Sequence, residues 1–238
     1  MENSASYKIY FINDYTVSID FGNVIDREIN AKAIAIFNYL TKHPIEGMIE
    51  AIPAYSSVSV YFDIGVIRRK ISSHKKVSEW IQSKINQVMA NELDGFKTIP
   101  DLIRIPVCYD ERFAIDLAWI AQQKKLAPEE IIRLHHSRPY HVYMLGFLPG
   151  FSYMGEVDER IVVPRKPEPQ SISAGSVGIA GKQTGIYPLN SPGGWQIIGR
   201  TPLKMFDKTK AEPCLLKAGD SVEYYPITKD EFDHMQKN

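Results

Sequence analysis

Residues 135–206 constrain the fold more than any other part of this chain. They read HHSRPYHVYMLGFLPGFSYMGEVDERIVVPRKPEPQSISAGSVGIAGKQTGIYPLNSPGGWQIIGRTPLKMF and hold most of the 15 glycines and 15 prolines of the 238 residues. Glycine lets backbone approach a ligand closely or adopt positive φ, whereas proline fixes φ and removes a donor. When both are dense between short apolar runs, they mark tight turns joining short strands. An exposed linker would carry few residues such as Phe147, Phe151, Tyr153, Tyr187 and Trp195. The stretch therefore predicts a folded β region with rigid, aromatic-rich loops, which is material for a pocket.

The chain before it reads differently. Tyr7, Ile9 and Phe11, then Val17, Ile19 and Phe21, alternate with polar residues around Asn13-Asp14, predicting a hairpin. Asn30 is the expected N-cap of a helix burying Ala33, Ile34, Phe37 and Leu40, and His43-Pro44 stops it. Residues 48–52 and 58–62 read as strands. A helix follows with Val77, Trp80, Ile81, Ile85, Val88 and Met89 on one face. The order β-β-α-β-β-α predicts a small α+β domain over 1–95, with helices on one side of an antiparallel-rich sheet. Asp94-Gly95 and Pro100 place a boundary within 91–100. A second domain is expected over 100–228: a strand at 103–109, two short helices at 116–124 and 128–136, and then strands and loops. Ala218-Gly219-Asp220 is read there as a turn between two strands, and no further helix is expected before Lys229.

Composition narrows the function classes. Lys plus Arg equals Asp plus Glu, at 28 each. A charge-driven nucleic-acid binder would be basic, so no nucleic-acid partner is expected. No apolar run reaches the roughly 18 residues that span a bilayer, and MENSASYKIY lacks the layout of a leader. With two cysteines, Cys108 and Cys214, no disulfide framework is expected, and the reading is a cytoplasmic protein with reduced thiols.

Several familiar chemistries fail. Gly175 and Gly181-Lys182 imitate a phosphate loop, but the spacing is one residue too long and Gln183 stands where Ser or Thr is required. Gly175-Ser176-Val177-Gly178 has the wrong spacing for a nucleophile elbow. His135, His136 and His141 lack a further clustered ligand, so no metal site is expected. His135 reads as a helix-end group and His136 as a candidate general acid or base. Arg165 and Lys166 form either a solvated basic turn or a carboxylate-binding one.

GFLPGFSYM at 146–154, VPRKPEP at 163–169, AGSVGIAGKQTGIYPLNSPGGWQIIGRTP at 174–202 and KAGDSVEYYPI at 217–227 resemble the family of the bacterial 5-oxoprolinase B subunits. NDYTVSIDFG at 13–22 and IPAYSSVSVYFD at 52–63 carry the likeness into the first domain. That family, of the carboxyltransferase C/D type, was long labelled allophanate hydrolase subunit 1. It includes an inhibitor of a sporulation histidine kinase and is similar to part of urea carboxylase. The resemblance implies a ferredoxin-like-related α+β domain followed by a cyclophilin-like β-barrel. It also implies ATP, with Mg²⁺, as co-substrate, and subunits A and C as partners in hydrolysing 5-oxo-L-proline to L-glutamate. The alternative it implies is a protein that binds and inhibits a sensor histidine kinase.

Under the enzyme reading, His136 and Arg165 are the expected catalytic residues. Phe147, Gly150, Phe151, Gly175, Ser176, Gln183, Thr184, Tyr187, Gly193, Gly194 and Trp195 are the expected substrate-binding residues, with amides of Gly175, Ser176, Gly193 and Gly194 as donors for developing negative charge. Two departures stand out. Pro169-Gln170 occupies the place of a Pro-Arg pair, which weakens a two-arginine anion clamp, and Ala114-Ile115 replaces Gly-Pro before Asp116-Leu117.

Overall fold

The computed structural model describes residues 7–91, 93–96 and 100–237. Residues 1–6, read above for a leader, and 97–99, within the expected boundary, lie outside them. The chain divides into two compact units, Met1–Ile99 and Pro100–Asn238.

Unit 1 contains β1 (Lys8–Asn13), β2 (Thr16–Asp20), α1 (Arg27–Lys42), β3 (Met48–Pro53), β4 (Ser57–Phe62), α2 (Ile64–Lys70) and α3 (Val77–Met89). The four strands form one antiparallel sheet in the order β1-β2-β4-β3. Alternation puts Val17, Ile19, Val58, Val60 and Phe62 on one face, where they join Ala33, Ile36 and Leu40 of α1 and Ile81, Ile85 and Val88 of α3 in a single core.

Three local expectations change in this unit. The N-cap of α1 is Asp26, whose carboxylate accepts from the amides of Glu28 and Ile29. Asn30 instead lies buried one turn inside the helix and donates to the carbonyls of Ala54 and Tyr55. Asn and Asp cap with similar strength, and the tertiary acceptors decide between them. Phe37 is half-buried while Ile36 takes the core position. The short helix α2, capped by Asp63 on the amide of Val66, was not expected, since seven residues show too little period.

Unit 2 contains β5 (Leu102–Cys108), α4 (Leu117–Lys124), α5 (Pro128–His135), β6 (Tyr140–Leu145), β7 (Ser152–Gly155), β8 (Gln170–Ile172), β9 (Ser176–Ala180), β10 (Gln183–Ile186), β11 (Ser191–Gly193), β12 (Gln196–Arg200), β13 (Ser221–Ile227) and α6 (Lys229–Lys237). Seven strands close into a barrel in the order β10-β7-β6-β13-β5-β12-β9, and β8 and β11 pair separately as a two-stranded ribbon. The barrel interior is filled by Ile105, Val107, Val142, Met154, Val177, Ile179, Ile198 and Val222, among others. It is therefore a packed core and not a channel. A second, smaller cluster of Phe151, Ile172, Tyr187, Trp195 and Ile197 lies among the loops and the ribbon. Only one strand, β13, borders the turn at 218–220; before it, the backbone amide of Lys217 is held by the Asp220 carboxylate.

Candidate functional site

The loop cluster encloses a cavity of about 420 Å³ lined by Phe147, Phe151, Tyr153, Arg165, Lys166, Pro167, Pro169, Tyr187, Pro192, Gly193, Gly194 and Trp195. Its scaffold is aromatic. Phe151, 1% exposed, is the hub: its ring lies edge-on to Tyr187 at 5.1 Å, Trp195 at 5.4 Å and Tyr153 at 4.9 Å. Edge-to-face contacts of this kind fix each ring's orientation. The amide of Trp195 donates to the Tyr187 hydroxyl, and a Cβ at Gly193 would collide with that same hydroxyl. Glycine at 193 is thus required for the Tyr187 ring to lie across the ribbon.

Arg165 is the cavity's available cation. It is exposed, its guanidinium carbon stands 5.9 Å from the centre of the Trp195 ring, and among the described residues no ion pair engages it. Burial pushes the Tyr153 and Tyr187 phenols up, and the charge of Arg165 works against that rise in both. Lys166, the alternative cation, is committed elsewhere. Its side chain is 8% exposed, with Nζ 2.6 Å from Asp116 Oδ2 and donating to Gln170 Oε1 at 2.9 Å. Asp116 Oδ2 also accepts from the amide of Ile197, and Lys166 N donates to the Gly194 carbonyl. A buried pair so satisfied fixes the loop that carries Arg165. Gln170, at the place where the resemblance implies a second arginine, is part of that clamp.

The structure brings Arg165, Phe147, Phe151, Tyr187, Gly193, Gly194 and Trp195 together at one cavity and leaves the other expected residues outside its lining. Gly150 sits at the foot of the loop, against Met205 and Phe206. The amide of Gly175 donates to the Tyr187 carbonyl and that of Ser176 to Ser173, so neither is a free donor for an oxyanion. Gly175 takes φ +84°, and a Cβ there would strike the Thr201 carbonyl, so its glycine is a requirement of strand packing. Gln183 and Thr184 belong to β10, and Thr184 is fully buried inside the barrel. His136 caps α5, half-exposed, and does not reach the cavity.

His135 reverses its expectation more completely. It is fully buried, and its ring bonds the Tyr109 hydroxyl at Nδ1 and Thr184 Oγ1 at Nε2, each at 2.9 Å. Thr184 donates its own proton to the Gly178 carbonyl, so it accepts from Nε2–H, and Nδ1 accepts from Tyr109. Desolvation holds this imidazole at a pKa of about 3. It is a neutral core residue and not a helix-end charge.

Pro167, Pro169 and Pro192 line the cavity with no role expected of them, while Tyr153 was expected only as a pocket aromatic and Lys166 only as part of the basic turn with Arg165. All but Pro192 stand in the quoted motifs GFLPGFSYM and VPRKPEP. Unit 1 holds a larger recess of about 680 Å³ lined in part by Arg68, Lys75 and Lys76. Arg68 there donates to the carbonyls of Ser73 and Lys75, and Lys76 pairs with Glu79, so its cations are largely engaged by the chain itself.

Residues 7–216 match the family described as the carboxyltransferase domain, subdomains C and D. The chain is 39% identical over 228 residues to the 5-oxoprolinase B subunit of Bacillus subtilis (strain 168), covering 95% of each. Among solved structures, PH0987 from Pyrococcus horikoshii is 39% identical with a TM-score of 0.54, covering 94% of this chain and 100% of that one. TTHA0988 is 32% identical with a TM-score of 0.76 over 89% of this chain, which spans 40% of that longer chain.

Proposed function

Because this chain belongs to the carboxyltransferase subdomain C and D family, we propose that it is the B subunit of an ATP-dependent 5-oxoprolinase. The observation that carries this reading is the 39% identity to a 5-oxoprolinase B subunit across 95% of both chains. In this reading its barrel is of the cyclophilin-like type and its first unit a ferredoxin-related sheet. It acts in the cytoplasm with subunits A and C and opens 5-oxo-L-proline to L-glutamate.

A lactam is a stable amide, and water adds to it slowly unless the carbonyl is activated. Transfer of the ATP γ-phosphoryl to the lactam oxygen, with ADP leaving, makes that oxygen a good leaving group. Water then adds at the ring carbon and the C–N bond breaks, with the ring nitrogen taking up a proton, to give an acyl phosphate; a second water hydrolyses that acyl phosphate, releasing phosphate and glutamate. The chain's own part is positioning: Arg165 holds the substrate carboxylate, the aromatic walls take the flat ring, and the Asp116–Lys166–Gln170 clamp fixes the Arg165 loop. Among the described residues no group of three His, Cys, Asp or Glu side chains gathers that could hold a metal ion. ATP and Mg²⁺ are proposed to enter through the assembly with the partner subunits.

The test is reconstitution. Subunits A and C with this chain should release glutamate from 5-oxo-L-proline only when ATP is present, and omission of this chain should abolish it. An inactive three-subunit mixture, together with inhibition of a sensor histidine kinase by this chain alone, would overturn the reading.

A further inference from the structure

Phe147 adopts a backbone conformation that its residue type disfavours. Its φ is +67°, and Leu148 N donates to the Gly146 carbonyl at 2.8 Å across it, so Phe147 is the centre of a three-residue γ-turn of the rare, strained kind. The one other non-glycine residue with positive φ among those described, Lys125, closes α4 at a left-handed C-cap, where helices commonly end. A bulky side chain at such a φ costs about 1–3 kcal/mol, which glycine would avoid. Burial does not offset this cost, because Phe147 is 61% exposed.

The surrounding loop is firmly held. Gly146 N donates to Phe151 O, Phe151 N to Leu148 O, and the Gly150 amide to the Cys214 thiol, while Gly150 lies against Met205 and Phe206. The strained turn therefore has a rigid base and a projecting ring. That ring meets Phe151 edge-on at 5.6 Å and Tyr187 at 6.5 Å, on the wall of the cavity that Arg165 also lines.

We infer that Phe147 is the specificity-determining wall of this cavity: the γ-turn holds its ring to contact the face of a small flat cyclic monocarboxylate whose charge pairs with Arg165. A cavity of about 420 Å³ lies at the small end of ligand sites, and its walls are aromatic and proline. Arg165 supplies one free guanidinium, since Lys166 is neutralised by Asp116, so one carboxylate is matched. The inference deepens the proposed function and rests on its assignment of the cavity to substrate.

The experiment is calorimetric titration of the full chain with two probes, 5-oxo-L-proline and pyrrole-2-carboxylate, alongside thermal melts. Phe147→Gly should weaken both probes by at least about tenfold while the melting temperature holds or rises by about 2–4 °C, as strain is released. Phe147→Ala should bind as poorly but melt below Phe147→Gly, because alanine keeps the strain. Phe147→Tyr should restore binding. Wild-type binding of pyrrole-2-carboxylate but not 5-oxo-L-proline, with the same variant pattern, upholds the inference and removes the assignment of this cavity to 5-oxoproline. Unchanged binding in Phe147→Gly overturns the inference, as does failure of the wild-type chain to bind either probe. Glutamate release by the assembled subunits in those last cases would leave the proposed function standing.

Discussion

Unit 2 holds two aromatic clusters made of similar residues whose polar groups are disposed in opposite ways. Inside the barrel, Tyr109, Tyr140, Tyr224, His135 and Thr184 are all buried. His135 stacks on Tyr224 at 4.7 Å, and Tyr140 donates to the His135 carbonyl at 2.6 Å. Burial pushes the Tyr109, Tyr140 and Tyr224 phenols up and the imidazole down, so every group is held neutral. Among the loops, Phe151, Tyr187 and Trp195 are as buried, but Phe147 projects and Arg165 stands beside them with no ion pair among the described residues. The first cluster satisfies its polar groups internally and so has nothing left to offer a ligand. The second keeps an unmatched charge and a strained ring at its edge. Composition does not distinguish a stabilising cluster from a binding one; unspent donors and strain do.

The sharpest way to break the contrast is His135→Ala. It removes a fully buried ring and strands the Tyr109 hydroxyl, while Thr184 keeps its bond to the Gly178 carbonyl, and denaturant unfolding should show a loss of about 3–5 kcal/mol. A smaller loss would mean that the inner network is not what stabilises the barrel.

Acid should attack the same cluster. The unfolded chain protonates His135 near 6.5, whereas the folded chain resists until about 3. The histidine's contribution is thus complete above about pH 6.5. It falls by about 1.4 kcal/mol per pH unit as pH drops through that window. His135→Phe, tracked by urea midpoints across pH, should flatten that limb, and an unchanged slope would refute the assignment.

Arg165→Met should act on the other side of the comparison. Carboxylate binding should fall by about 2–3 kcal/mol, roughly 30- to 150-fold, with no change in the melting curve because the side chain is exposed. Titration calorimetry and a melt on one sample decide it; a lowered melting temperature would make Arg165 a structural residue. Thr184→Val should do the reverse and on the smallest scale, costing about 1–2 kcal/mol of stability. The KM of the assembled enzyme for 5-oxo-L-proline should stay unchanged, and a rise in that KM would return Thr184 to the substrate site.

Much of this contrast was legible beforehand. The Gly- and Pro-rich β region, the alternating strands of unit 1 and the tail helix α6 follow from periodicity and turn chemistry. The exchange between the two adjacent histidines was legible too. Ile131, Leu134 and His135 share the buried face of α5 at helical spacing, which turns His135 inward and His136 away. What failed was the inference from glycine density to free amides: Gly175 and Ser176 look like an oxyanion cradle until strand pairing shows where their protons go.

The sequence alone determined the element types, the aromatic and glycine content of residues 135–206, and the family resemblance, because these reside in local pattern and residue identity. The tertiary structure alone decided that Thr184 faces His135 inside the barrel, that Lys166 is neutralised by Asp116, and that Arg165 is consequently the cavity's free cation. Those outcomes are settled by hydrogen bonds and ion pairs between residues far apart in the chain. Donors and acceptors of the same type are interchangeable until the fold chooses which of them meet.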